Sequence, residues 1–214
     1  IKDIDFAANI EPDQTIKILK YNNIKYDDYA KKYGSILAFK NNNKFEITSL
    51  RKDINQKGRD TDVIYTKDWE ADAKRRDFTV NAIYLNADKK IIDFFGGIND
   101  LKNNKIKFIG DIDKRINEDY IRIFRYYRFL GIFENPNEIE KYDEIILKHL
   151  PNAFLKLSNE VIRSEILKMF NNFFPKNSFF INHEKKLIRS WLEMTKKHFV
   201  LTNYELGLKK CLDK

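Results

Sequence analysis

The spacing of apolar positions changes period several times in the first hundred residues. Ile4-Asp5-Phe6-Ala7 alternates as the end of a short strand, and Glu11-Pro12-Asp13-Gln14 then opens a helix whose apolar positions Ile16, Ile18 and Leu19 run to Tyr21. Residues 35–40 and 44–50 are two extended stretches around Asn41-Asn42-Asn43, the pattern of a β-hairpin. From Arg51 to Thr66 the chain is polar, contains Gly58 and is poorly periodic until Val63-Ile64-Tyr65, which predicts a long loop. A helical pattern follows over residues 69–85, and Ile91-Ile92-Asp93-Phe94 reads as a last strand before Gly96-Gly97. Beyond Asn99 only helical spacing appears, over residues 117–133, 138–149, 158–170 and 184–197, with Pro136, Pro151 and Pro175 between them. The pattern predicts an α+β chain: a mixed strand and helix domain at residues 1–100 and an all-α region at 101–214.

Composition sharpens this picture. Of the 214 residues 43% are hydrophobic, with 17 Phe and 11 Tyr, an aromatic load that excludes a disordered polyelectrolyte. The formal charge of +8 favours a polyanionic partner, but only 10 of the 40 basic residues are Arg, and Arg reads phosphates and bases better than Lys. Attention therefore moves to the arginines. The single cysteine, Cys211, leaves no disulfide partner within the chain, which fits a reducing, cytoplasmic setting. No apolar run approaches the roughly 18 residues of a membrane span.

Three clusters carry chemistry. Asp3-Ile4-Asp5 places two carboxylates at i and i+2, the same face of a strand, where they can hold hard divalent cations. In Arg75-Arg76-Asp77-Phe78-Thr79-Val80-Asn81-Ala82, Asp77 suits a helix N-cap with Asn81 one turn on and two guanidinium groups just before it. The third cluster is Glu118-Asp119-Tyr120-Ile121-Arg122-Ile123-Phe124-Arg125, continued to Arg128. On one helix, Asp119, Arg122, Arg125 and Arg128 form a row in which Arg forks donate to a base edge or a polyphosphate and Asp accepts from an amino group.

These clusters, in this order, resemble the class II tRNA nucleotidyltransferase and bacterial poly(A) polymerase family, with its DNA polymerase beta-like catalytic head. The resemblance extends through Phe45 to Arg51, Ile92 to Leu101 and Gly110-Asp111, and more weakly through Ser158 to Glu165. It implies a mixed-sheet nucleotidyltransferase head followed by an all-α neck and body. It also implies addition of C and A residues to the tRNA 3′ end from CTP and ATP, with Mg²⁺ as cofactor and tRNA as partner. By the same resemblance Asp3 and Asp5 bind Mg²⁺, Arg76 and Asp77 contact ribose and phosphate with Asn81 in support, and Asp119 and Arg122 read the base. Arg125 and Arg128 continue toward the phosphates, Glu118 orients Arg122 or the helix rather than contacting nucleotide, and residues 53–65 match the family's flexible loop.

The family's usual Gly-Gly-x-Val-Arg-Asp segment, which supplies a first strand, is not in the chain, and the later body and tail helices are mostly absent. The expectation is a chain truncated at both ends. Val161 stands where the late motif has Arg, and His149, His183 and His198 match no family site and read as ordinary helix residues. Poly(A) polymerase activity and a non-catalytic RNA-binding remnant are the alternative readings.

Overall fold

The computed structural model describes residues 4–57, 60–137 and 139–179. Strands β1 (Ile4–Ala8), β2 (Lys25–Asp27), β3 (Ser35–Lys40) and β4 (Asn43–Ser49) form a mixed sheet in the order β1-β4-β3-β2. β1 runs parallel to β4, and the other pairs are antiparallel. The β3–β4 turn is Asn41-Asn42 with φ of 50° and 60°, the left-handed pair that a two-residue hairpin needs and that Asn tolerates. Helix α1 (Pro12–Tyr21), with Pro at its start, packs Ile16 and Leu19 on Ile36 and Ala38 of β3.

Residues 51–66 do not form the predicted loop. They form an antiparallel ribbon, β5 (Arg51–Lys57) with β6 (Asp60–Tyr65). The strand signal is weak in sequence because Lys52-Asp53-Ile54 and Asp62-Val63-Ile64 show no period-two alternation of charged and apolar residues. The helical pattern predicted over 69–85 is also shorter than expected. Helix α2 covers Trp69–Lys74 with Asp68 as its cap, accepting from the Ala71 N–H at 3.1 Å. A 3₁₀ turn at Thr79–Asn81 and strand β7 (Ile83–Leu85) follow, and β7 pairs with β8 (Ile91–Asp93).

The chain forms two compact units, one of residues 1–76 and 82–94 and one of residues 77–81 and 95–214. In the second unit, helices α4 (Ile112–Glu118), α5 (Ile121–Leu130), α6 (Glu140–Lys156), α7 (Asn159–Phe170) and α8 (Pro175–Phe179) surround an apolar core, while α3 (Gly97–Lys102) is tied to the 3₁₀ turn through Thr79 Oγ1 donating to Asp100 Oδ2 at 2.7 Å. Phe78, Phe108, Ile123, Tyr126, Leu130, Ile146 and Leu150 are almost fully buried there. Each such side chain is worth roughly 1.5–3 kcal/mol relative to exposure. Pro151 does not separate two helices as expected; it lies inside α6, which continues because Ile146, Leu150 and Ala153 anchor it on both sides of the proline. The helix predicted over 184–197, together with His183, His198 and Cys211, lies outside the described residues. His149 is a buried residue of α6 bonded through Nε2 to Asp113 Oδ1 at 2.9 Å.

Candidate functional site

In the first unit, Asp5 sits mid-strand on β1, exposed, in parallel register with Glu46 of β4. Register partners share a sheet face, so these two carboxylates lie on one side. Glu46 was not singled out from sequence, although it lies in the Phe45 to Arg51 stretch. Asp3 lies outside the described residues. Among the described residues no group of three or more His, Cys, Asp or Glu is placed to hold a metal ion. The donor chemistry at Asp5 and Glu46, hard carboxylate oxygen, nevertheless suits a divalent cation such as Mg²⁺.

The arginine pair after α2 is organised by a residue that sequence reading missed. Asp72, 1% exposed, accepts at Oδ1 from Arg75 Nε (2.9 Å) and the Arg51 N–H (3.1 Å), and at Oδ2 from the Tyr84 hydroxyl (2.7 Å) and Arg76 (3.3 Å). Burial alone would raise its pKa, but the two guanidiniums and the Tyr84 and Arg51 hydrogen bonds outweigh burial and hold it below the ordinary carboxylate value. Burial and the same hydrogen bond push the Tyr84 hydroxyl up, so it stays a donor. The usable signal in sequence was spacing: Asp72 precedes Arg75 and Arg76 by three and four residues.

In the second unit, Phe78 is fully buried with its ring 4.8 Å from that of Phe108 and 5.4 Å from that of Phe129. The backbone on either side of it bonds across to residues 107–109: Thr79 N–H donates to the Lys107 carbonyl and Ile109 N–H to the Asp77 carbonyl, both at 3.0 Å. This anchoring fixes Asp77. It is not the cap of an α-helix, as predicted; its Oδ1 accepts from Asn81 Nδ2 and the Phe78 N–H at 2.9 Å, and its Oδ2 pairs with Arg125 Nε at 2.5 Å. Burial opposes ionisation of Asp77, but Arg125 and the Asn81 bond prevail and lower its pKa.

The predicted row Asp119, Arg122, Arg125, Arg128 is not one helical face. Asp119 ends α4 in extended backbone (φ −153°, ψ 110°), and its Oδ1 accepts from the Ile121 N–H at 3.1 Å at the start of α5. A short carboxylate that takes a nearby backbone N–H interrupts the helix there. Arg122, Arg125 and Arg128 do lie three apart on α5. Arg122, 6% exposed, donates from Nη1 to Glu118 Oε2 and to the Arg115 carbonyl, both at 2.6 Å. Glu118 therefore orients Arg122, one of the two roles the resemblance implied, and it shares that oxygen with Arg115. Arg128 is held by the buried Glu165 of α7 at 2.8 Å. Arg115 went unnoticed in sequence, and Glu165, although it ends the Ser158 to Glu165 stretch, was not singled out as a partner; it pairs with a residue 37 positions away, which no local pattern reveals.

No helix among the described residues is long and apolar enough to cross a membrane. The sequence family described as the poly A polymerase head domain matches residues 1–107, half of the chain. The human mitochondrial CCA tRNA nucleotidyltransferase 1 is 42% identical over 170 residues, covering 78% of this chain and 39% of its own length. The CCA-adding enzyme of Latilactobacillus sakei is 32% identical over 182 residues, covering 79% of this chain and 45% of its own. The crystal structure of the Bacillus stearothermophilus CCA-adding enzyme in complex with CTP superposes with a TM-score of 0.73 at 27% identity, covering 84% of this chain and 42% of that one. The chain thus spans about two fifths of the length of these relatives. A head-domain match over residues that hold both the Asp3-Ile4-Asp5 motif and the Arg76-Asp77 cluster settles descent: the chain belongs to the poly(A) polymerase head-domain family of nucleotidyltransferases.

Proposed function

We propose that the protein is a template-independent RNA nucleotidyltransferase that adds C and A residues to the tRNA 3′ end from CTP and ATP. The observation that carries this reading is the Arg122 guanidinium, held from one side by Glu118 and the Arg115 carbonyl next to the Asp119 break. A clamped Arg fork beside a carboxylate presents a fixed donor and acceptor pattern, the requirement for reading a base edge without a nucleic-acid template. The 42% identity to a CCA tRNA nucleotidyltransferase supports the same reading.

In this proposal Asp3 and Asp5, with Glu46 beside Asp5, hold Mg²⁺. A bound divalent ion would lower the pKa of the attacking 3′-hydroxyl and offset triphosphate charge. Arg76 contacts the nucleotide phosphates, and Asp119 with Arg122 selects the base. Asp77 and Asn81 keep Arg125 in place rather than meeting the nucleotide first, and Glu165 does the same for Arg128. A head of residues 1–100, a helical neck from 101 and a cytoplasmic location belong to the same proposal.

The family description itself favours a second reading, poly(A) polymerase. Incubation with tRNA ending before its CCA, with CTP or ATP labelled singly, separates the two. Sequential C then A incorporation supports CCA addition, whereas ATP incorporation alone into unrelated RNA overturns it.

A further inference from the structure

The two neighbouring arginines after α2 differ in what they can reach. Arg75 is 13% exposed and lies between two carboxylates, with Nε on Asp72 at 2.9 Å and Nη1 3.9 Å from Asp53. Arg76 is 32% exposed and meets the other oxygen of Asp72 at 3.3 Å. The Asp72 carboxylate thus has two sides. Its Oδ1 serves the foot of the β5–β6 ribbon, through the Arg51 N–H and through Arg75, while its Oδ2 serves Arg76 and Tyr84. On the ribbon, Asp53 closes the circuit, because its Oδ1 meets Arg51 Nε at 3.2 Å and its Oδ2 faces Arg75. Arg51 is fixed in turn by its guanidinium bond to the Tyr33 carbonyl. A carboxylate is planar and rigid, so a shift of the groups on one oxygen displaces those on the other.

We propose that Arg75 and Asp72 are positioning residues that couple the foot of the β5–β6 ribbon to Arg76, so that ribbon geometry sets the grip of Arg76 on a nucleoside triphosphate. The phosphate role of Arg76 rests on the proposed function above; the mechanical link stands on the contacts alone. Arg75 itself stays off the nucleotide. The consequence is that a ribbon residue such as Asp53 alters nucleotide affinity through Arg75, without touching the ligand.

The test uses Arg75→Gln, the milder Asp53→Asn, their double variant, and Arg75→Gln combined with Arg76→Lys. Amide hydrogen exchange on the protein alone reads the link: both single variants should speed exchange at residues 51–57 and 60–65 by about tenfold, with the double variant no faster. In nucleotide incorporation, Arg75→Gln should raise KM for CTP and ATP about tenfold while kcat stays within about threefold, and should add less than about twofold in the Arg76→Lys background. Arg75→Lys, which keeps the charge, should recover part of the loss. Unchanged ribbon exchange in both single variants, or KM effects that multiply fully in the Arg76→Lys background, overturns the proposal. If the unmodified protein incorporates no nucleotide, the functional reading fails, and the exchange result still decides the link.

Discussion

Asp77 and Arg125, 48 residues apart, are joined within the second unit by a carboxylate–guanidinium pair in which the Asp77 side chain is nearly buried. The pair ties the Asp77–Asn81 segment to α5, so that residues read separately along the chain meet within this unit.

Removing Asp77 should destabilise this unit. Asp77→Ala leaves Arg125 without its carboxylate, and the expected loss is about 2–3 kcal/mol, below that of a fully buried pair because Arg125 is partly exposed. Chemical denaturation of both proteins measures it, and a loss below about 0.5 kcal/mol would show the pair to be incidental.

The acid limb of stability follows from the same residue and from Asp72, whose pKa values both lie below the ordinary aspartate value of 3.8. In the window below 3.8 the unfolded chain binds more protons than the folded one, so stability rises with pH. The contribution is fully present above 3.8 and is lost as pH falls toward the folded values. Asp77→Asn should flatten the acid limb below the ordinary aspartate value of 3.8, and an unchanged slope would remove Asp77 as a contributor.

Gly131, which follows α5, has no room for a side chain. A Cβ there would lie 2.2 Å from Ser178 Oγ and 2.5 Å from Asn172 Nδ2, with the Phe174 carbonyl at 3.2 Å. Gly131→Ala should cost roughly 1–3 kcal/mol through overpacking, and thermal unfolding checks this. Pairing it with Ser178→Ala should return part of the loss.

Arg122→Lys keeps the charge but loses the fork that Glu118 orients. Discrimination against UTP should fall by about ten- to hundredfold, matching roughly 1–3 kcal/mol for a bidentate base contact, while RNA affinity changes little. Competition between labelled CTP and UTP gives the ratio, and undiminished discrimination would detach Arg122 from base reading.

Local signals made part of this molecule legible. Asn41-Asn42 marks a turn wherever it occurs, and the apolar alternation flanking it specified the β3–β4 hairpin. Pro12 and the spacing of Ile16 and Leu19 likewise announced α1. The ribbon at 51–57 and 60–65 escaped because its charged and apolar residues, as in Lys52-Asp53-Ile54 and Asp62-Val63-Ile64, do not alternate with period two. The Asp119 break escaped because helical periodicity runs unbroken through residues 117–133, and only a side-chain bond to the Ile121 N–H interrupts it. In the candidate site, the residue types were visible but their partners were not. Arg125 with Asp77 and Arg128 with Glu165 are long-range pairs, so residues read as facing a ligand prove to be held by carboxylates of their own unit.

The central claim, that a carboxylate on β1 supports nucleotidyl transfer to a tRNA 3′ end, is tested most directly by comparing the unmodified protein with Asp5→Ala. Each is given Mg²⁺, tRNA lacking its CCA, and labelled CTP and ATP. Loss of the Asp5 carboxylate, the proposed metal ligand, should reduce incorporation on the order of a thousandfold with little change in folding stability, since Asp5 is exposed. Equal extension by the two proteins would contradict the account.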